Sequence, residues 1–339
     1  MQQIRTAVMV VATVAVTKKR PLSGVLLFDK STGFSSNQAL QIVKRLYRAE
    51  KTGHTGTLDP LASGLLPLMF GEATKFAADL IDASKTYRTT VRLGFSSNTG
   101  DAEGEILERK AVTISQAQVD EVIAWFTGAI EQIPPMYSAL KHQGKPLYEL
   151  ARQGINIERA PRPVTIYSLK VLGSSFEGSI DCGAGEAWID IEAKVSKGTY
   201  IRTLIDDLGE ALGSGAYVSA LRRIHVGPFD AAQMLTQEQL VPFNEKQDWA
   251  GLDALLLPMD LALTGLPELK LREEQQKRLV HGQTVLLSES ELADLGMESA
   301  GAIKLYGPAQ QFIGVASLEA GVLSVRRLLN TSVWQTPAL

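Results

Sequence analysis

In the segment Gly53-His-Thr-Gly-Thr-Leu-Asp-Pro-Leu-Ala-Ser-Gly64, one carboxylate, Asp59, sits among glycines and small hydroxyls. Gly56 lets the backbone turn tightly and Pro60 stops the chain from continuing as a helix, so Asp59 is expected to project from a rigid loop. No neighbour in sequence neutralises its charge, and a carboxylate so placed suits a nucleophile or a base. Considered alone, an aspartate satisfying a turn is the commoner case, so the choice rests on the rest of the chain. Other patterns lead nowhere. Ser138-Ala-Leu-Lys141 and Lys51-Thr-Gly53 have the residue types of a β-lactamase-like serine enzyme, but in reversed order and without a Ser-Asp-Asn element. Gly213-Ser-Gly215 follows a helical stretch instead of opening one, and no Gly-x-x-x-x-Gly-Lys-Ser/Thr phosphate loop occurs. His54, His142, His225 and His281 stand singly and Cys182 is alone, so no zinc site, internal disulfide or catalytic metal is expected.

The chain of 339 residues has room for about two domains. A hydrophobic fraction of 45% and a charged fraction of 21% exclude disorder, collagen-like repetition and a coiled-coil rod. The net charge of -3 speaks against a nucleic-acid partner only if charge is evenly spread, and it is not. Residues 1–51 carry a net +7 and residues 231–300 a net -7. The apolar run Ala7 to Val16 is far short of the roughly 20 residues a membrane span needs. Residues 1–20 are expected to be a disordered extension, and the protein to be soluble, cytoplasmic and monomeric, away from membranes.

Around the Asp59 loop, the sequence predicts a strand over Gly24–Phe28 and a helix from a Ser36-Asn37 cap to about Tyr47, with Ala39, Leu40, Val43 and Leu46 inward. Residues 51–71, rich in Gly, Thr and Pro, read as a structured loop. Further strands are expected at Tyr87–Leu93, Val164–Leu172 and Ala187–Val195, with helices from Ser115 to Thr127 and Ile201 to Leu212. The Pro- and Gly-rich stretch 133–163 reads as an inserted flap, helical around Leu147–Gln153. Its charges are Lys141, Lys145, Arg152, Arg159 and Arg162 against Glu149 and Glu158. Residues 238–263 look helical, and Gln311–Leu318 and Val322–Leu328 suggest a small β-rich domain at the end.

From Gly24 to about Arg223 the chain closely resembles the TruB family of tRNA pseudouridine synthases. The blocks that carry the resemblance are Gly24-Val-Leu-Leu-Phe-Asp-Lys30, Gly53 to Pro60, Gly71-Glu-Ala-Thr-Lys75 and Lys85-Thr-Tyr-Arg88. It continues in Gln132-Ile-Pro-Pro-Met-Tyr-Ser-Ala-Leu-Lys141, Ser196-Lys-Gly-Thr-Tyr-Ile-Arg-Thr203 and Leu221-Arg-Arg223. The resemblance implies an α+β fold with a mixed, largely antiparallel sheet, flanking helices, an inserted thumb and a small C-terminal PUA-like β domain. The implied division is a catalytic domain over 21–245 with its thumb at 133–163, a linker at 246–268, and the PUA-like domain at 269–339. The implied activity is isomerisation of uridine-55 to pseudouridine in the T arm of tRNA, without cofactor, with a tRNA-folding chaperone role as a separate expectation.

Making pseudouridine breaks the N1–C1′ bond, turns the uracil and rejoins it through C5. A carboxylate can serve this by attack at C1′, attack at C6 or removal of the C2′ proton, and the sequence leaves all three open. The resemblance implies that Asp59 is catalytic and that Arg202 pairs with it, lowering its pKa and setting its rotamer. It implies that Tyr87 stacks on the flipped base, that Tyr200 and Leu221 line the uracil pocket, and that His54 meets RNA near the vacated base position. Lys30, Lys141 and Lys145 complete the expected substrate-binding set. Three positions depart from the family pattern: Ser31 follows Lys30 where proline is common, Asn98 stands where Asp is usual, and Val195 replaces a cysteine.

Overall fold

The computed structural model describes residues 18–109, 112–175, 179–182, 187–296 and 301–333. The expected disordered extension lies outside the described residues up to position 17. Its last residue, Arg20, forms an ion pair with Asp253 and stacks over Trp249 at 5.1 Å.

The main sheet is built from β1 (Gly24–Lys30), β2 (Thr52–His54), β3 (Ser63–Phe70), β4 (Lys85–Leu93), β5 (Gly128–Gln132), β6 (Arg162–Ser174), β7 (Trp188–Val195), β8 (Ala216–Val226) and β9 (Phe229–Asp230). Its order is β1–β3–β8–β4–β7–β6–β5, with β2 on β3 and β9 on β8. Every pairing is antiparallel except β3 with β8, which run parallel through Ser63↔Arg222 and Gly64↔Arg223. The fold is thus α+β on a mixed, largely antiparallel sheet, as the resemblance implied. The edge at β1 is covered, because Leu235 and Leu257 exchange backbone hydrogen bonds with its residues.

Helices α1 (Ser36–Leu46), α2 (Gln116–Trp125) and α3 (Ile201–Ala211) share one core with the sheet. The start of α1 is set by a capping box in which Ser35 and Gln38 satisfy each other's backbone N–H, and Ser115 with Gln118 does the same for α2. The apolar spacing of α1 turns Ala39, Leu40 and Val43 inward, and that of α3 buries Leu204, Ile205 and Leu208. A second cluster, with Val25, Leu27, Leu65 and Met69, packs Leu80, Phe229 and Ala262 over β1 and β3.

The C-terminal part is a five-stranded sheet, β10 (Glu268–Lys270), β12 (Gly301–Tyr306), β13 (Phe312–Glu319), β14 (Val322–Leu328) and β11 (Val285–Leu286) in that order. It has its own core of Leu269, Leu279, Ile303, Leu305, Ile313 and Leu323. It docks on the main body through Phe76, Leu263, Val315 and Leu329, with the Lys75 ammonium donating to Leu328 O at 2.9 Å.

The structure departs from the sequence reading in two places that bear on the site. Residues 51–71 are not a continuous loop: β2 and β3 flank a short turn that carries Asp59, because the apolar run Leu65–Phe70 is buried on both faces of the sheet. The stretch 216–226, where no element was expected, is the strand β8 at the centre of the sheet. Its irregular alternation has a structural cause, for its pairing with β4 shifts register between Val218 and Ala220 and again between Arg223 and His225. The segment 246–268, read as a linker within a helical stretch, contains a short helix at Trp249–Ala254 whose Leu252 lies in the main core.

Candidate active site

Asp59 is held from two sides. The Ser36 hydroxyl, at the first turn of α1, donates to Leu58 O at 3.0 Å and accepts from Leu58 N at 2.7 Å. Gly33 N donates to Pro60 O at 2.8 Å, and Ala62 N closes the turn on Asp59 O at 3.1 Å. The residue thus presents its carboxylate from a pinned turn, with 42% of the side chain accessible.

Arg202, the second residue of α3, is buried and reaches that carboxylate at 3.0 Å from Nη2 to Oδ2. It has other partners as well: Nη1 donates to Thr99 O at 3.0 Å and lies 3.4 Å from Asp101, and Nη2 donates to Tyr137 O at 2.7 Å. One guanidinium therefore joins the Asp59 turn, the 97–101 turn and the base of the 133–163 insertion. Asp101 is itself buried and accepts from the Thr99 hydroxyl at 2.6 Å.

Burial outweighs the attraction of Arg202, so the Asp59 carboxyl lies above its ordinary pKa; Asp101 adds to the rise and Lys30 opposes it. The sequence reading had the arginine lower this value. It does pull in that direction, but the buried guanidinium is shared with a second, buried carboxylate, Asp101.

A cleft of about 260 Å³ opens over this pair, lined among others by Asp59, Tyr87, Tyr200, Arg202 and Leu221. Five of the nine expected site residues thus meet in one cavity. Tyr87 comes from β4, opposite Arg223 of β8 and Ala193 of β7. Tyr200 is held at the start of α3 by the buried Gln132 amide, which accepts from Tyr200 N at 3.0 Å and donates to Tyr200 O at 3.3 Å. Burial pushes the Tyr200 phenol up, against the pull of Ser138 and Arg162.

A family profile described as TruB family pseudouridylate synthase, N-terminal domain, matches residues 44–201. Two further profiles, the tRNA pseudouridylate synthase B C-terminal domain and the pseudouridine synthase II TruB C-terminal region, match residues 202–264 and 267–329. A tRNA pseudouridine synthase B of Chromohalobacter salexigens is 49% identical over 314 residues, covering 92% of this chain and 96% of that protein. The chain belongs to the TruB family of pseudouridine synthases. A protein of the same name from Mannheimia succiniciproducens is 46% identical over 312 residues, covering 92% of this chain and 97% of that protein. Among solved structures, a Cbf5-Nop10-Gar1 complex contains a chain with a TM-score of 0.68 and 25% identity, covering 93% of this chain and 87% of that one.

The remaining expected residues of this TruB enzyme lie outside the cleft. Lys30, expected at the substrate, has no exposed surface; its ammonium donates to Ser31 O at 2.9 Å and Phe34 O at 2.6 Å. In this position it ties the 31–34 turn beside Asp59. Burial lowers its pKa to about 8 against the opposing pull of Asp59 and Glu103. His54 is half-buried on β2, its Nδ1 enclosed without a hydrogen-bond partner, and burial followed by the field of Arg223 lowers its pKa. Lys141 and Lys145 face solvent on the two short strands of a hairpin, Lys141–His142 with Lys145–Pro146.

Three residues with no role in the sequence reading lie at this cleft or in the network beside it. Asp101 completes the Arg202 network, while Lys85 and Arg223 line the cleft with Asp59. Lys85 and Arg223 lie within quoted blocks, but only the fold brings them to the wall of the cleft that Asp59 also lines. The Lys85 ammonium, buried to the point that its pKa falls to about 8, donates to Leu80 O, Ile81 O and Ala83 O at 3.3, 2.6 and 2.6 Å.

Proposed function

We propose that this TruB enzyme acts in the cytoplasm on tRNA, as the names of its relatives suggest, converting uridine-55 of the T-loop to pseudouridine with Asp59 as the catalytic residue. The observation that carries this reading is the Asp59–Arg202 ion pair at 3.0 Å, set in a cleft bordered by Tyr87 and Leu221. A cleft of about 260 Å³ suits one base with part of its sugar, and a uridine enters it only by leaving the RNA stack. Tyr87 offers the flipped uracil an aromatic face, and Leu221 and Tyr200 bound it. Arg202 keeps Asp59 ionised in a site where burial favours the proton, and directs the free carboxylate oxygen at C1′, C6 or the C2′ hydrogen. The enzyme works as a monomer: the insertion 133–163 closes on the T-loop, and the C-terminal domain from residue 269 meets the acceptor side.

The test is chemical mapping of pseudouridine in unmodified tRNA after incubation with the wild type and with Asp59→Asn. The wild type modifies position 55 and the variant modifies nothing. Conversion by the variant at the wild-type rate would sink the assignment.

A further inference from the structure

Arg223 is the largest fully buried side chain among the described residues, at 1% exposure, and it makes no ion pair there. Its guanidinium is spent on backbone carbonyls. Nε donates to Leu65 O at 2.8 Å and Nη2 donates to Gly56 O at 3.0 Å. Those two carbonyls lie on opposite sides of Asp59 in the chain, one three residues before it and the other six after. The strand that carries the arginine is registered there too, through Gly64↔Arg223 in the single parallel pairing of the sheet.

The turn is shaped for this guanidinium. Gly56 has φ +72°, and a Cβ built on it would lie 3.1 Å from Arg223 Nη1 and 3.8 Å from Lys85 Cε. The arginine therefore sits directly beneath the backbone that leads into Asp59, and it also borders the cleft. Burying a cation without a counter-ion is costly, and hydrogen bonds to neutral carbonyls offset only part of the cost. A neutral, apolar filler would be the cheaper solution for a site with no other demand. A rigid planar fork reaching two fixed acceptors is what arginine alone supplies.

We propose that Arg223 is a positioning residue of the isomerisation: it clasps both arms of the Asp59 turn and holds the carboxylate at the reacting atoms. Arg202 sets the direction of the carboxylate and Arg223 sets the place of its backbone. The proposal rests on Asp59 being the catalytic residue, and its test separates the two.

The experiment measures three quantities for the wild type, Arg223→Lys and Gly56→Ala: the single-turnover rate on bound tRNA, the Kd for tRNA, and the melting temperature. Lysine keeps the charge and loses the fork. Both variants are expected to bind tRNA within about twofold of wild type and to react about 10²-fold more slowly, since a misplacement near 1 Å costs about that much. A wild-type rate in Arg223→Lys would overturn the proposal, as would a fall in rate matched by an equal fall in affinity. Should Arg223→Lys not fold, Gly56→Ala decides by the same criteria. If Asp59→Asn is inactive while Arg223→Lys reacts normally, this proposal alone fails; if Asp59→Asn is active, the reading beneath it fails.

Discussion

The proposed chemistry needs Asp59 ionised, whereas burial favours its proton, so the reading that assigns Asp59 the reaction also makes it a source of instability. In the unfolded chain Asp59 loses its proton around the ordinary value of 3.8; in the fold it does so at higher pH. Between the two the folded state binds the extra proton, so stability from this residue is present at low pH and is lost as pH rises through the raised value. Asparagine has no such proton. Relative to Asp59→Asn, the wild type is therefore expected to lose stability between about pH 4 and about pH 7. Urea denaturation of both proteins at the two pH values checks this, and a relative gain by the wild type would contradict it. For activity, Asp59→Asn is expected to slow conversion by at least about 10²-fold, and the acid limb of kcat/KM to lie above pH 3.8.

At the scale of elements, the site is a junction of strand ends and helix starts. Asp59 lies between β2 and β3, Tyr87 on β4, Leu221 and Arg223 on β8, and Tyr200 with Arg202 at the start of α3. The parallel contact of β3 with β8 brings them together, and it leaves no space for a side chain at Gly64. With φ +97°, a Cβ there would collide with the carbonyl oxygen of Arg223. Gly64→Ala is therefore expected to destabilise the fold by about 3 kcal/mol, through backbone strain and displacement of β8. Urea titration measures this, and a change within about 0.5 kcal/mol would show that the two strands can separate without cost.

Across the whole molecule, charge is divided between ends. A net +7 in residues 1–51 and five cations in the 133–163 insertion face a net -7 over residues 231–300, so the total of -3 says little about the partner. Phosphate attraction depends on the surface that meets RNA. Lys141 and Lys145, both exposed on the hairpin of the insertion, are placed to supply it. Replacing both with alanine is expected to weaken tRNA binding and to reduce the slope of log affinity against log salt by about 2, since each phosphate contact contributes nearly one counter-ion. Filter binding over a salt series reads the slope. An unchanged slope would remove the hairpin from the RNA surface.

That Asp59, Tyr87, Tyr200, Arg202 and Leu221 belong together was legible through the family resemblance of short local blocks, since Asp59 taken alone reads as a turn residue and Tyr87 as a core residue. The helices α1, α2 and α3 were legible because apolar spacing acts over a few residues, as does the Ser115 cap of α2; the cap of α1 is Ser35, one residue before the expected Ser36-Asn37, and α3 has no side-chain cap. What the tertiary structure alone decided is long-range. Strand β8, irregular in pattern, gains its identity from pairing with β3 and β4, and through it Arg223 becomes a clasp on a turn far away in sequence. The direction of the Asp59 pKa was also beyond local reading. It follows from how much water the packed elements exclude and from Asp101 sharing Arg202, two quantities set by the packing of distant segments and by no short motif.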